Sequence, residues 1–93
     1  MDINGLEVLV TVARERSFSR AAEVLGRTQP AISQAIRRLE ADVGEKLFDR
    51  SSKDGTLTPA GQVLLGHAKQ MLNVRHNAQA AITLSAGDLP RNT

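Results

Sequence analysis

The fold of this chain is decided by residues 28–43, which read TQPAISQAIRRLEADV. Four aliphatic residues recur there with the three-and-four spacing of one helical face: Ile32, Ile36, Leu39 and Val43. The stretch therefore predicts an amphipathic helix whose aliphatic stripe packs on a core. Thr28 is suited to cap its first turn, Pro30 is tolerated within that turn, and Gly44 supplies a left-handed stop.

The opposite face of this predicted helix carries hydrogen-bonding side chains and no acid. Its members are Gln29, Ser33, Gln34, Arg37 and Arg38. A glutamine amide can pair with an adenine edge, a serine lets the helix backbone approach closely, and an arginine can contact guanine or phosphate. The face therefore suits a DNA major groove. On these residues alone, an ordinary solvated helix face is the alternative.

Composition limits the classes of protein that the chain can represent. Its 93 residues are enough for one small domain, and its formal net charge is +2. Cysteine is absent, which excludes disulfides, thiolate metal sites and cysteine nucleophiles, and we expect no metal and no cofactor. No apolar run can span a bilayer and the N-terminus lacks a basic start, so we expect a cytoplasmic protein without a membrane partner. With only two aromatic residues, recognition of RNA or single strands by base stacking is disfavoured.

Two helices are predicted before residue 28. An aliphatic stripe that begins at Ile3 predicts a first helix over residues 3–16. Residues 20–25 form a short second helical segment, with Ser19 as the expected N-cap and Gly26 as the stop. Only two residues separate this segment from Thr28. Two short helices joined by a tight glycine-containing turn predict a helix-turn-helix in which the second helix reads DNA.

A small hairpin is predicted after Gly44. Two short extended runs, residues 46–50 and 56–57, flank an Asp-Gly turn signal. A hairpin directly after a helix-turn-helix is usually a wing that lies near the DNA, and Arg50 and Lys53 are its available cations. A connector without contact to nucleic acid is the alternative.

The last predicted element is a long helix that begins at Thr58 and Pro59 and runs to about Leu84. At 1.5 Å per residue it would be about 40 Å long, and a core of three short helices cannot cover it. We therefore expect it to pair with the same helix of a second copy, a frayed end being the alternative. The expected contact residues are Leu64, Ala68, Met71, Leu72, Ala78 and Ile82.

These motifs closely resemble the N-terminal DNA-binding domain of LysR-type transcriptional regulators. The resemblance rests on SFSRAAEVL at residues 17–25, TQPAISQAIRRLE at 28–40, LFDR at 47–50 and LTPAG at 57–61. It implies a mainly α-helical fold: a winged helix-turn-helix with a three-helix core and a small β-hairpin wing, followed by a long dimerisation helix. We place the winged domain at residues 1–58, the linker helix at 59–86 and a hinge or cut end at 87–93.

The resemblance also implies partners. In this family the domain binds double-stranded promoter DNA at an inverted repeat as a homodimer. A C-terminal effector domain, which we expect to be absent from this chain, binds a small-molecule inducer and adjusts a tetramer on the promoter.

Carried over residue by residue, the resemblance implies two sets of DNA contacts. Base contacts are expected from Gln29, Pro30, Ser33 and Gln34. Phosphate contacts are expected from Ser19, Thr28, Arg37 and Arg38. Lys53 would lie at the wing tip beside Asp54, an acid that disfavours insertion into the minor groove. Gln34 stands where many relatives carry arginine, so the base preferred at that position is expected to differ.

Two other classes of function compete with DNA reading as interpretations of the sequence. An enzyme would need a catalytic group, and His67 and His76 lie nine positions apart, on opposite sides of one helix, so they cannot form one site. A pure oligomerisation module with only non-specific DNA affinity would explain the long helix but not the two-helix unit or its acid-free face. We therefore expect a sequence-specific transcription regulator and no enzyme.

Overall fold

A computed structural model describes residues 1–49, 51 and 55–88, and side chains as far as residue 86. Within these ranges the chain forms helices α1 (Ile3–Glu15), α2 (Phe18–Leu25), α3 (Gln29–Val43) and α4 (Pro59–Asp88). Helix α1 lies at the centre and packs against each of the other three, while α2 packs on α3. The order and type of the four predicted helices are confirmed.

The hydrophobic core is assembled from one face of each helix and from the hairpin. Its buried members are Leu6, Val8, Leu9, Val12, Ala21, Ala22, Ile32, Ile36, Leu39, Leu47, Phe48 and Ala68. Three of the four stripe residues of α3 are among them, and Val43 packs at the edge of the same cluster. The small side chains of Ala21 and Ala22 allow α2 to approach its neighbours closely.

The start of α2 differs from the prediction. Ser17, in extended conformation, is its N-cap, and the Ser17 hydroxyl accepts a hydrogen bond of 3.0 Å from the backbone N–H of Arg20. The prediction that Ser19 caps this helix is wrong, because Ser19 already lies within its first turn. The left-handed residue Arg16 ends α1 one position earlier than predicted. The two serines have equal capping propensity, so the chain reversal between α1 and α2 decides which one is used.

The boundaries of α3 agree with the sequence pattern. Thr28 is the N-cap, and its hydroxyl accepts a hydrogen bond of 3.3 Å from the backbone N–H of Ala31. Pro30 lies in the first turn, and Gly44 ends the helix with φ of +78°. Gly26 ends α2 with φ of +64°, which gives the tight turn between the two helices.

The described residues include the base of the predicted hairpin. Phe48 and Leu57 form an isolated antiparallel bridge, flanked by hydrogen bonds from Asp49 N–H to Thr56 O (2.8 Å) and from Thr58 N–H to Leu47 O (3.0 Å). The ring of Phe48 meets that of Phe18 edge to face at 5.3 Å, which anchors the hairpin to the start of α2. The wing cations Arg50 and Lys53 lie outside the described residues.

Helix α4 is longer than predicted. The Thr58 hydroxyl accepts from the Gly61 N–H at 3.0 Å, as expected of a cap, but the helix runs to Asp88 rather than to about Leu84. It therefore crosses the domain boundary that we placed after residue 86. Gly87, where we placed the start of the hinge, costs only about 1 kcal/mol in helix propensity. The helix has 30 residues and is about 45 Å long.

Gly61 sets the distance between α4 and the hairpin. A Cβ added at this position would collide with the carbonyl oxygen of Leu47 and lie 2.9 Å from the Leu57 side chain. The same carbonyl accepts the N–H of Thr58, so it cannot move without breaking the base of the hairpin. Gly66, one and a half turns further along α4, has no atom within 4 Å of the equivalent position.

Replacing Gly61 with alanine should lower the free energy of unfolding by about 1 to 3 kcal/mol or more, because the added methyl group overpacks against backbone. Gly66→Ala is the matched control and should raise it by about 0.5 to 1 kcal/mol, since alanine is the better helix former and the site is open. Urea unfolding at equal protein concentration measures both. Equal effects of the two substitutions would contradict this account of the α4 contact.

Candidate nucleic-acid interface

Burial of the aliphatic stripe of α3 determines which face of that helix is open. Pro30, Gln34 and Arg37 are exposed, and at 100° per residue they fall within a sector of about 60°. Gln29 is also exposed, and Ser33 is half-buried at the edge of the same face. The structure therefore exposes Pro30 and Gln34 on one face of α3, with Ser33 at the edge of that face, whereas Gln29 is exposed at the start of the helix, about 100° around its axis from Pro30.

The two acids of α3 are turned away from this surface. Glu40 is buried, and one carboxylate oxygen of Asp42 lies 2.8 Å from the α-ammonium group of Met1. The hydrogen bond to Asp42, with the attraction of its charge, raises the pKa of the Met1 amino group above its ordinary value. The exposed face consequently keeps the acid-free character that the sequence predicted.

Among the described residues, the two arginines of α3 have no ion-pair partner, whereas the exposed arginine of α2 has two. Arg20 lies 3.4 Å from a carboxylate oxygen of Glu15 and 3.1 Å from one of Glu23. Arg37 and Arg38 are exposed and form no ion pair with any residue that the structure describes. Free guanidinium groups beside a polar helix face are suited to phosphate oxygens.

Arg27 is a further exposed cation near the start of α3 that was not among the predicted contact residues. It is exposed in the turn between α2 and α3, and it too lacks an ion pair among the described residues. In the sequence, its position directly before Thr28, the N-cap of α3, could have identified it as a candidate DNA contact.

Two of the predicted phosphate ligands have different hydrogen-bonding states. The Thr28 hydroxyl accepts from Ala31 N–H, which leaves its own proton available to a phosphate. The Ser19 hydroxyl instead donates to Oε1 of Gln29 at 3.1 Å. This contact joins the first turn of α2 to the first turn of α3.

Glu40 is a structural residue of this region that the sequence reading did not identify. Its side chain is only 5% exposed, and Oε2 accepts the buried N–H of Leu47 at 2.8 Å. The carboxylate thus ties the last turns of α3 to the first strand of the hairpin. Its position beside Ile36 and Leu39 on the aliphatic face is the feature that marks it as buried.

The residues that we predicted for pairing of α4 divide into two groups. Ala68 is fully buried in the core of its own chain, while Leu64, Met71 and Leu72 are half-buried against that core. Ala78 and Ile82 are exposed, as is every side chain from residue 73 to 86. An apolar groove follows the near part of the helix, with Ile3, Val43, Leu64, Met71 and Val74 on its walls and the exposed His67 at its side.

Neither metal ligation nor membrane insertion has support in the described residues. Over residues 1–49, 51 and 55–88, no three histidine, aspartate or glutamate side chains are grouped so that they could hold a metal ion. None of the helices in these ranges is both long and apolar enough to cross a bilayer.

Comparison with known proteins places the two-helix unit in a family. The family described as "Bacterial regulatory helix-turn-helix protein, lysR family" matches residues 3–62. The chain belongs to the lysR family. The regulator ShiR of Corynebacterium glutamicum is 43% identical over 89 residues, which is 96% of this chain and 30% of ShiR. CfxR of Cupriavidus necator is 43% identical over 82 residues, 88% of this chain and 26% of CfxR. The chain spans less than a third of either relative.

Solved structures of the lysR family share the fold. The BenM DNA-binding domain, crystallised with benA site 1 DNA, has a TM-score of 0.90 at 29% identity, over 96% of this chain and 100% of that one. Vibrio fischeri DarR in complex with DNA has a TM-score of 0.87 at 36% identity, over 94% of this chain and 30% of DarR. The predicted fold class is confirmed: this is the winged helix-turn-helix DNA-binding domain of a LysR-type transcription regulator.

Replacing Glu40 with alanine should lower the free energy of unfolding by about 1 to 3 kcal/mol, because the buried N–H of Leu47 then lacks its acceptor. Glu45→Ala is the matched control, an exposed glutamate five residues further on, and should change it by no more than about 0.5 kcal/mol. Urea unfolding measures both effects. An unchanged free energy of unfolding in Glu40→Ala would show that this hydrogen bond does not stabilise the hairpin.

Proposed function

We propose that this LysR-family domain binds double-stranded promoter DNA in a sequence-specific manner, as a symmetric homodimer on an inverted repeat. The observation that carries the proposal is the acid-free, exposed face of α3 at the end of the helix-turn-helix. The domain would act as a DNA-bound regulator in the cytoplasm rather than as an enzyme.

Helix α3 is the proposed reading element, and each contact has a chemical reason. Gln29, Pro30, Ser33 and Gln34 would meet base edges in the major groove, where glutamine can pair with adenine through both amide atoms. Thr28, Arg37 and Arg38, together with Arg27, would contact phosphates, which fix the position and register of the helix without reading sequence. This division is supported by the three arginines, which have no ion-pair partner in the described part of the chain, and by the Thr28 hydroxyl, which is recorded there only as an acceptor.

Helix α4 is the proposed dimer element. Fourteen consecutive residues, 73–86, are exposed, although the segment carries Val74, Ala78 and Ile82. These three residues share one side of the helix with the groove beside Met71. Pairing with the same helix of a second copy would cover that side, and two-fold symmetry would present two reading helices to two half-sites about one helical turn or more apart.

Selection of bound sequences from random duplex DNA tests the proposal directly, with the stoichiometry of the winning complex recorded at two salt concentrations. An enriched inverted repeat bound by two copies is the expected result. Salt-sensitive binding without enrichment would contradict it and would favour the alternative, an oligomerisation module with only non-specific affinity for DNA.

Replacing Gln29 with alanine should weaken binding to the selected site by about 1 to 3 kcal/mol and relax the preference at one base pair, because a base contact is lost. Arg37→Ala is the contrasting variant: it should weaken binding to all sequences and reduce the salt slope by about one unit. Fluorescence anisotropy titrations on selected and scrambled duplexes separate the two patterns. An equal loss for Gln29→Ala on both duplexes would contradict base reading.

Replacing Ile82 with glutamate should raise the dissociation constant of the dimer by about tenfold or more, because a carboxylate would be buried without a partner. Leu84→Glu is the matched control: Leu84 is equally exposed, at 69% against 68%, but lies on the opposite side of α4. Sedimentation equilibrium measures the association of both variants. Equal association of the two would show that the Ile82 side of the helix is not the interface.

A further inference from the structure

The first turns of α2 and α3 meet through one side-chain hydrogen bond. The hydroxyl of Ser19, in the first turn of α2, donates to Oε1 of Gln29 at 3.1 Å. Gln29 is the first residue of α3, and both side chains are exposed. Within the described part of the chain, neither side chain has another hydrogen-bond partner. The hydrogen bond therefore holds the Gln29 amide at the protein surface, where the amide can contact a bound molecule.

The hydrogen bond from Ser19 sets the orientation of that amide. A serine hydroxyl has a single proton, and here it is given to the oxygen of Gln29. The amide therefore holds its carbonyl oxygen toward Ser19, while both N–H groups of Nε2 and one lone pair of Oε1 remain free. A free donor next to a free acceptor is the arrangement that pairs with N7 and N6–H of adenine.

We infer that Ser19 is a positioning residue for base recognition: it holds the Gln29 amide in one orientation before DNA binds. The inference rests on the proposed base-reading role of Gln29. Glutamine loses considerable rotamer freedom when it is ordered, so a side chain that is ordered in advance binds at a lower entropic cost and discriminates more sharply.

This role replaces the phosphate contact that the family resemblance implied for Ser19. Because the hydroxyl proton is already engaged with Gln29, the hydroxyl has no donor left for a phosphate oxygen. The two roles predict different effects of removing the hydroxyl. A lost phosphate contact weakens binding to all sequences, whereas a lost positioning contact weakens discrimination at the base pair that Gln29 reads.

The experiment compares the unmodified chain with Ser19→Ala, Gln29→Ala, the double variant and Ser19→Thr, which keeps a hydroxyl. Affinities are measured on the selected duplex, on single-base-pair variants of it and at several salt concentrations. We expect Ser19→Ala to reduce discrimination by about five- to tenfold at the base pair affected by Gln29→Ala, with an unchanged salt slope. Ser19→Thr should restore the discrimination, and in the Gln29→Ala background removal of the hydroxyl should have no further effect.

A second readout does not depend on DNA. In the ¹⁵N-labelled free domain, the side-chain amide resonances of Gln29 should shift in Ser19→Ala and return toward their original positions in Ser19→Thr. Thermal unfolding confirms that each variant is folded, which is expected because Ser19 is exposed.

Four outcomes would overturn the inference. A uniform loss of affinity with a reduced salt slope, additive to that of Gln29→Ala, would return Ser19 to a phosphate contact. Unchanged Gln29 resonances in Ser19→Ala would show that the hydrogen bond does not order the amide. Discrimination lost in Gln29→Ala but retained in Ser19→Ala would refute the positioning role alone, whereas full discrimination in Gln29→Ala would refute the proposed base reading as well.

Discussion

Burial of the α3 stripe against α1 is the contact on which the rest of the domain depends. With Ile32 and Ile36 fully buried and Leu39 almost so, the helix cannot rotate about its axis without exposing aliphatic surface. One rotational setting is thereby selected, and it places Pro30, Gln34 and Arg37 outward. The same packing that stabilises the fold therefore determines which side chains are presented to DNA.

The hairpin and α4 are held to that core through a few close contacts. Glu40 satisfies the buried N–H of Leu47, the ring of Phe48 meets Phe18, and Gly61 lets α4 lie directly against the Leu47 carbonyl. The contacts of Glu40 and Gly61 leave little room for adjustment because their partners, the N–H and the carbonyl of Leu47, are backbone groups. The direction in which α4 leaves the core is consequently linked to the position of the reading helix.

Beyond Leu72, helix α4 no longer packs on the hydrophobic core, and every side chain from residue 73 to 86 is exposed. An ion pair between Arg75 and Glu7, 3.2 Å between nitrogen and oxygen, joins that helix to α1, and an exposed pair of this kind adds little stability. In the turns of α4 that follow, apolar side chains such as Ile82 are exposed to solvent. A second copy would cover them, so the same helix would serve both the stability of the dimer and the spacing of its two reading helices.

The sequence by itself determined the helices, their order and most of their ends. Apolar spacing, the Thr28 and Thr58 caps and the stops at Gly26 and Gly44 act over three or four residues, so they are readable without a fold. Tertiary structure decided the rest. It chose Ser17 over Ser19 as the cap of α2, buried Glu40, placed Ala68 in the core of its own chain and joined Ser19 to Gln29. The cap of α2 depends on how the chain turns between α1 and α2, and the other outcomes depend on residues from different elements that the packing brings together. Local propensity carries no information about such contacts.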